Sequence, residues 1–220
     1  MYLFQTYHNK SLIPPKVYDN IKQYASKYKH IVYDYDECLE YIKTNYDEKI
    51  ANTFINLQNK AHKADLWRYC ILYKEGGLYM DIKVQLIGDI NNLFDPNILT
   101  TCYRKNNIFN GIIYSPKDNP IFLELIDFIV NQPPHIPYQC ICKHFAKTIC
   151  KYTGQPLDNK LFIVDKIPPI YLFEEIVKKY NVGERRELYD RYKLIDKVYD
   201  KGKYIIKARF SDYTGKINSW

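Results

Sequence analysis

The sequence predicts an α/β layer fold with a mainly parallel sheet over its first 115 residues. Short apolar runs of strand length alternate there with longer segments whose apolar residues recur at helical spacing. Residues that favour helix ends, mainly asparagine, aspartate, proline and glycine, stand where the helical segments begin or end. In open sheets of this kind, ligands bind beyond the carboxyl ends of the strands, so polar residues that follow a strand are candidate site residues.

The individual elements are predicted in chain order from these signals. Strands are expected at Tyr2 to Tyr7, His30 to Tyr33, Leu78 to Met80, near Ile98 to Tyr103 and near Ile108 to Tyr114, with strand-like pieces at Leu161 to Val164 and Tyr204 to Ile206. Helices are expected at Pro14 to Ser26, Glu37 to Thr44, Asp47 to Gln58, Ala61 to Tyr73, Asn119 to Val130 and near Gln139 to Lys151. Asp36 is a candidate cap for the second helix, and Asn119 is one for the fifth.

Composition indicates a globular chain without a membrane span. Of its 220 residues, 46% are hydrophobic and 26% are charged, and no run of eighteen apolar residues occurs. No basic region followed by an apolar stretch opens the chain, so no signal peptide is predicted and a cytoplasmic location is expected.

The net charge of +7 suits a polyanionic partner, such as a nucleic acid, a membrane surface or a diphosphate. The basic residues are dispersed, with the densest pairs at 178–179 and 185–186, and no nucleic-acid-binding motif is present, so no nucleic-acid partner is expected. Cys140, Cys142 and His144 fit no common zinc spacing, and reduced cysteines are expected.

The segment from Asp65 to Asp81 carries the most chemical information. Asp65 and Arg68 are three positions apart, so they share one face of an otherwise apolar helix. As an exposed pair they would contribute only about 0.2–0.5 kcal/mol. If buried they need a polar partner, and sugar hydroxyl groups suit both charges. Asp81 ends a short apolar strand that follows Gly76-Gly77, which is the position where such sheets bind ligands.

These residues resemble a known family. The stretch Ala64-Asp65-Leu66-Trp67-Arg68-Tyr69, followed by Leu72 to Asp81, resembles the sugar-binding region of family 32 glycosyltransferases, which include yeast mannosyltransferases. It is also similar to the glucosylating domains of large clostridial toxins. Weaker matches run from residue 4 to residue 220 and comprise Phe4-Gln5-Thr6, Tyr33 to Glu37, Asn110-Gly111 with Ser115-Pro116 and Pro120, Thr153 to Pro156, and Ser219-Trp220.

The resemblance implies a single domain with a GT-A type, Rossmann-like fold and a mixed central sheet. Residues 1–115 would bind the nucleotide sugar, and residues 116–220 would supply the acceptor side and closing elements. The implied activity is transfer of a hexose or N-acetylhexosamine from a UDP- or GDP-sugar to a glycan or glycoprotein acceptor, with retention of anomeric configuration.

The resemblance also implies roles for individual residues. Asp65 and Arg68 would hold the donor sugar, and Asp81 would be the first acid of an Asp-x-Asp motif and a metal ligand. Phe4, Gln5 and Thr6 would border the nucleotide. The implied donor-binding set is Phe4, Gln5, Thr6, Asp65, Arg68, Gly77, Tyr79, Asp81, Asn110, Ser219 and Trp220, with Ser219 and Trp220 closing over the diphosphate.

Lys83 departs from the family pattern, because the chain reads Asp81-Ile82-Lys83 where the family reads Asp-x-Asp. The second acid supports Mn²⁺ or Mg²⁺, which bind oxygen ligands, and a lysine repels such an ion. Three interpretations follow: Lys83 replaces the cation on the diphosphate, Asp81 holds a metal with phosphates and waters, or the chain binds without catalysis. Alternation along a strand would place Asp81 and Lys83 on one side. Reduced or absent metal dependence is favoured, with Asp65, Arg68, Asp81 and Lys83 as the catalytic set.

Overall fold

The computed structural model describes residues 1–137, 139–181, 187–194 and 204–207. The strands within these ranges are β1 (Tyr2–Thr6), β2 (Lys29–Tyr33), β3 (Gly77–Met80), β4 (Gln85–Leu86), β5 (Leu99–Arg104), β6 (Asn107–Ser115), β7 (Leu161–Phe162), β8 (Ile170–Asn181), β9 (Glu187–Leu194) and β10 (Tyr204–Lys207). The helices are α1 (Pro15–Tyr24), α2 (Tyr35–Asn45), α3 (Glu48–Asn56), α4 (Lys60–Glu75), α5 (Pro120–Val130) and α6 (Cys140–Thr153), with a 3₁₀ turn at Lys10–Leu12. No helix in the described ranges has the length and apolar character needed to cross a membrane.

All described strands belong to one mixed sheet, in the order β2-β1-β3-β6-β5-β8-β9-β10-β4, with β7 beside β8. β1 runs parallel to β2 and β3, and β5 runs parallel to β8. The other pairings are antiparallel, including those of β6 with β3 and β5. The mixed sheet is therefore confirmed.

The expectation of a mainly parallel sheet over residues 1–115 is wrong, because β6 opposes both its neighbours. Only Lys105 and Asn106 separate β5 from β6, and two residues can close a hairpin but cannot make the crossover that parallel strands need. Lys105 has a φ of 53°, as in the tight turns that join antiparallel strands.

The helix ends follow the predicted signals, with one correction at α2. Its cap is Asp34 rather than Asp36. The Asp34 carboxylate accepts from the Glu37 backbone N–H at 3.0 Å, and the Glu37 carboxylate accepts from the Asp34 N–H at 2.9 Å. This reciprocal pair is a capping box, which starts the helix two residues earlier than expected. At α5, Asn119 caps the helix and Pro120 takes its first position, as predicted.

Three strands have no counterpart among the predicted elements: β4, β8 and β9. β4 has only two residues, too few to show a period. β8 and β9 combine apolar and charged residues in pairs rather than in strict alternation, and they form a long antiparallel pair with each other. Their pairing is a tertiary feature, since propensity for strands depends on neighbouring strands.

The sheet separates two apolar layers. Helices α2 to α6 cover one face, where Phe4 and Tyr79 join the core, and α1 lies on the other, where Leu3, Leu78 and Met80 are buried. Side chains of β1 and β3 alternate between these layers, as the period of two requires. β1 and β3 are parallel neighbours, so they end at the same edge of the sheet, on the face that α4 covers. The residues that follow the two strands lie together at that edge.

Candidate functional site

Arg68 lies between two carboxylates in a buried cluster. Its guanidinium is 3.2 Å from Asp65 Oδ1 and 3.2 Å from Asp81 Oδ1. The side chains of Arg68, Asp65 and Asp81 are 5%, 10% and 17% exposed. Helix α4 supplies Asp65 and Arg68, and Asp81 directly follows β3. The sequence expectation that these groups converge is thus met, and the reading of Asp65 and Arg68 as an exposed pair does not apply.

The glycine pair between α4 and β3 brings the two elements together. Gly76 and Gly77 have φ values of 64° and 96°, a region that other residues resist. A Cβ at Gly76 would lie 2.6 Å from the Lys117 backbone nitrogen, and one at Gly77 would lie 2.9 Å from the Tyr2 backbone oxygen. Gly77 stands at the amino end of β3, roughly 13 Å from Asp81 at 3.3 Å per residue. It shapes the turn and does not join the cluster.

Tyr79 and Asn110 complete the hydrogen bonding of the cluster. The Tyr79 hydroxyl donates to Asp81 Oδ1 at 2.9 Å, and its ring faces the Arg68 guanidinium at 4.3 Å from the ring centroid. The Asn110 amide donates to Asp65 Oδ1 at 3.0 Å, and its backbone oxygen accepts from Arg68 Nη1. Asn110 lies inside β6, in line with the strand predicted near Ile108 to Tyr114, and the pairing of β6 with β3 carries it to the cluster.

Lys83 reaches Asp81 from a turn and not from a strand. β3 ends at Met80, and a turn follows, in which the Val84 backbone N–H donates to the Asp81 backbone oxygen at 2.9 Å. The Lys83 ammonium lies 3.1 Å from Asp81 Oδ2, and its side chain is 35% exposed. The expectation from strand alternation was therefore wrong in its cause, although the two side chains do meet.

The pKa values of the two carboxylates are shifted in opposite directions. Burial favours the neutral form of Asp81, but the charges of Lys83 and Arg68 and the Tyr79 hydroxyl lower its pKa to about 2. Burial raises the pKa of Asp65, and Arg68 and Asn110 oppose this only in part. Asp81 is thus held as a carboxylate at all ordinary pH values.

The Arg68 guanidinium and the Tyr79 hydroxyl keep their protons. Burial acts to lower the pKa of Arg68, but Tyr79, Asp65 and Asp81 raise it above its ordinary value. Burial raises the pKa of Tyr79 as well, so its hydroxyl remains a donor.

Of the three β1 residues, Gln5 contacts this cluster. The Gln5 amide donates to the Asp81 backbone oxygen at 3.4 Å, and its own oxygen accepts from His30 at 2.8 Å. Burial lowers the pKa of His30 to about 4, which leaves the imidazole neutral. Phe4 packs in the core, and the Thr6 hydroxyl donates to the Tyr33 backbone oxygen at 3.0 Å. Neither side chain therefore reaches the cluster. Ser219 and Trp220 lie outside the described residues.

Phe109 and Gly111 form a close contact that was not predicted. A Cβ at Gly111 would lie 2.3 Å from the Phe109 ring and 3.0 Å from Asp81 Oδ2. The ring therefore occupies the space of a missing side chain beside the carboxylate. Strand alternation places positions 109 and 111 on one face, and an aromatic residue two positions from a glycine is the only sequence signal for it.

The described side chains do not form a divalent metal site. No group of three or more histidine, cysteine, aspartate or glutamate side chains able to hold a metal ion occurs among the described residues. Asp81 is the single acid of the expected motif, and Arg68, Tyr79 and Lys83 already contact its oxygens. Mn²⁺ and Mg²⁺ prefer several oxygen ligands, so this arrangement does not fit them.

Known proteins share this architecture. The solved structure described as PaToxG Glycosyltransferase aligns with a TM-score of 0.51 and 15% identity over 68% of this chain and 67% of that one. The fold is of the GT-A type. Residues 15–99, which include all but Asn110 of the cluster, match the family described as "Glycosyltransferase sugar-binding region containing DXD motif".

A viral protein is also similar to this chain. The uncharacterized glycosyltransferase L373 of Acanthamoeba polyphaga mimivirus is 24% identical over 161 residues, which cover 68% of this chain. The match spans 62% of that relative, less than two thirds of its length. The chain is therefore similar to glycosyltransferases over residues 15–99, in this viral relative and in its fold.

Proposed function

We propose that this protein is a glycosyltransferase that moves a hexose or N-acetylhexosamine from a UDP- or GDP-sugar to a glycan or protein acceptor, with retention of configuration. The observation that carries the proposal is the convergence of Asp65, Arg68 and Asp81 in one buried cluster beyond the ends of β1 and β3. The sugar-binding region match and the GT-A fold support it. Placement in family 32 is part of the same proposal.

The geometry divides the work among these residues. Arg68 donates to both carboxylates and to the Asn110 backbone oxygen, so it is a positioning residue that holds the acids. Asp65 and Asp81 are the more exposed members, and carboxylate oxygens accept hydrogen bonds from sugar hydroxyl groups. The two carboxylates thus bind the donor sugar, while the Arg68 guanidinium, on their buried side, fixes their orientation.

Cleavage of the donor bond leaves negative charge on the departing diphosphate. Preorganised positive groups that face this charge are usually the largest contribution to catalysis. Lys83 is the most exposed cation of the cluster and is suited to that role. The acceptor attacks from the side of the departing diphosphate, which requires no protein nucleophile.

Donor hydrolysis tests the proposed activity. The protein is incubated with a panel of UDP- and GDP-sugars without acceptor, and released nucleoside diphosphate is measured. Slow release with one donor is expected, together with loss of about 10²–10³ in rate in Asp81→Ala. Asp127→Ala is the matched control, since Asp127 is exposed on α5 and should leave the rate unchanged. Equal rates in wild type and Asp81→Ala would contradict the assignment.

A second candidate is a nucleotide-sugar binding module that lacks catalysis. The ion pair of Lys83 with Asp81 favours it, because the motif's acid is already neutralised. Thermal-shift screening with the same donors separates the two. Saturating ligand raises stability by about RT ln(1 + [L]/Kd), so a shift without any release of nucleoside diphosphate, with or without glycan acceptors, would favour the binding module.

A further inference from the structure

Both oxygens of the Asp81 carboxylate are engaged from within the chain. Oδ1 accepts from the Tyr79 hydroxyl at 2.9 Å and lies 3.2 Å from Arg68 Nη2. Oδ2 lies 3.1 Å from the Lys83 ammonium. A metal ion at Asp81 would have to displace the ammonium or lie beside it, and like charges at such distances repel strongly.

The charges of the cluster balance without a metal. Asp65 and Asp81 contribute two negative charges, and Arg68 and Lys83 contribute two positive charges, which gives a net charge of zero when both acids are ionised. In an Asp-x-Asp arrangement the second acid would replace Lys83, and the same positions would carry three negative charges and one positive charge. That difference is the one that a divalent cation neutralises.

The fold holds Lys83 on the open side of the cluster. Its chain neighbours Ile82 and Val84 are both buried, and Ile82 packs against Ile13 and Val17. These contacts, together with the hydrogen bond from the Val84 N–H to the Asp81 backbone oxygen, fix the turn that carries Lys83. The Lys83 side chain is 35% exposed against 17% for Asp81, so a ligand that enters from solvent meets the ammonium first.

We propose that Lys83 supplies the positive charge that a divalent cation supplies in Asp-x-Asp glycosyltransferases, so that the nucleoside diphosphate binds and departs without a metal. This inference rests on the proposed function. A lysine acts on phosphate as a compact point charge on a flexible stem, which allows the ammonium to follow the diphosphate as charge develops. Asp81 then serves as the group that keeps the ammonium in place between binding events.

Nucleotide binding with and without metal tests the inference. UDP and GDP are titrated calorimetrically into the wild-type protein in EDTA and in Mn²⁺, and the Kd of the better nucleotide is expected to agree within about twofold. Lys83→Ala should bind it about tenfold to a hundredfold more weakly in both buffers, the loss typical of one hydrogen bond to a charged group. Lys117→Ala is the matched control, because Lys117 also neighbours an aspartate but lies 71% exposed near the opposite end of β3.

A converse variant restores the acid. Lys83→Asp should bind the nucleotide weakly in EDTA and recover in Mn²⁺, with bound Mn²⁺ visible by electron paramagnetic resonance. Binding by the wild type that is lost in EDTA, or Lys83→Ala binding with wild-type Kd, would overturn the metal-free role while leaving the proposed function standing. If the wild type binds neither UDP nor GDP in either buffer, the proposed function itself fails, and this inference with it.

Discussion

The Arg68 guanidinium and the Asp81 carboxylate are 13 positions apart in sequence and 3.2 Å apart in space. One lies on the buried face of α4, and the other follows β3. The turn at Gly76 and Gly77 makes their contact possible, because it reverses the chain directly between the helix and the strand. The ion pair in the cluster therefore depends on the geometry of the turn at Gly76 and Gly77.

Loss of Arg68 should destabilise the whole domain. Arg68→Met keeps much of the side-chain volume but leaves Asp65 and Asp81 without their shared cation. Breaking a buried ion pair by removing one partner costs about 3–5 kcal/mol in the free energy of unfolding. Urea denaturation at neutral pH measures this loss.

An exposed ion pair provides the comparison for that variant. Lys10 pairs with Glu37, and their side chains are 37% and 46% exposed. Lys10→Met should change the free energy of unfolding by about 0–1 kcal/mol. A loss for Arg68→Met that is no larger than the loss for Lys10→Met would show that the cluster is solvated and not buried.

Asp81 should make stability depend on pH in the acid range. Its pKa is about 2 in the fold against an ordinary value of 3.8, so the folded protein favours the carboxylate. This contribution, about 2 kcal/mol, is present above pH 4 and is lost as the pH falls towards 2. The difference in unfolding free energy between wild type and Asp81→Asn should therefore shrink over that window.

Asp65 provides the opposite dependence on pH. Its pKa is raised by burial, so its contribution is fully present below pH 4 and declines as the pH rises through the folded pKa. Measured against Asp65→Asn, the wild type should gain stability as the pH falls. Parallel pH profiles for the two asparagine variants would contradict the assigned environments of the two acids.

Two glycines with positive φ differ both in backbone conformation and in crowding. Gly76 has φ and ψ of 64° and −163°, a region that is essentially restricted to glycine, and a Cβ there would lie 2.6 Å from the Lys117 backbone nitrogen. Gly154 has φ and ψ of 65° and 13°, in the left-handed helical region, and no heavy atom within 4 Å of such a Cβ. Gly154→Ala should cost about 1–2 kcal/mol for the left-handed backbone alone. Gly76→Ala should cost about 1–3 kcal/mol more because of both its backbone conformation and the crowding. Equal losses in chemical denaturation would refute the close approach of α4 and β3 to the chain at Lys117.

The Tyr79 hydroxyl should stabilise the ionised form of Asp81. Tyr79→Phe keeps the ring over Arg68 but removes a donor to a charged acceptor, which typically costs about 1.5–3 kcal/mol. Tyr28→Phe is the control, since the Tyr28 hydroxyl donates to the neutral Ile90 oxygen at 3.5 Å and should contribute less. NMR titration of the Asp81 carboxyl carbon should show a higher pKa in Tyr79→Phe, and an unchanged pKa would remove this hydroxyl from the cluster.

Local signals predicted much of the fold. The limits of α3, α4 and α5 follow from caps and apolar spacing, which act within a few residues. The orientation of β6 and the pairing of β8 with β9 depend on contacts across the sheet. Such contacts leave little trace in a single strand's sequence, and this is why the sheet was expected to be mainly parallel.

Some members of the cluster were predictable from the sequence, but its geometry was not. Asp65, Arg68 and Asp81 could be selected because charged residues interrupt apolar segments, and they do meet. Arg68 contacts both acids because all three side chains are largely buried, and burial depends on how the layers pack. That Lys83 lies in a turn depends on the length of β3, which ends at Met80.

The contact of Phe109 with Gly111 makes two positions in β6 depend on each other. Any side chain at position 111 would push the aromatic ring aside and crowd Asp81 Oδ2, whereas a smaller residue at position 109 would free that space. Substitutions at the two positions should consequently be tolerated in combination more readily than at position 111 alone. In a library that varies both positions, surviving variants would pair a larger residue at 111 with a truncated one at 109.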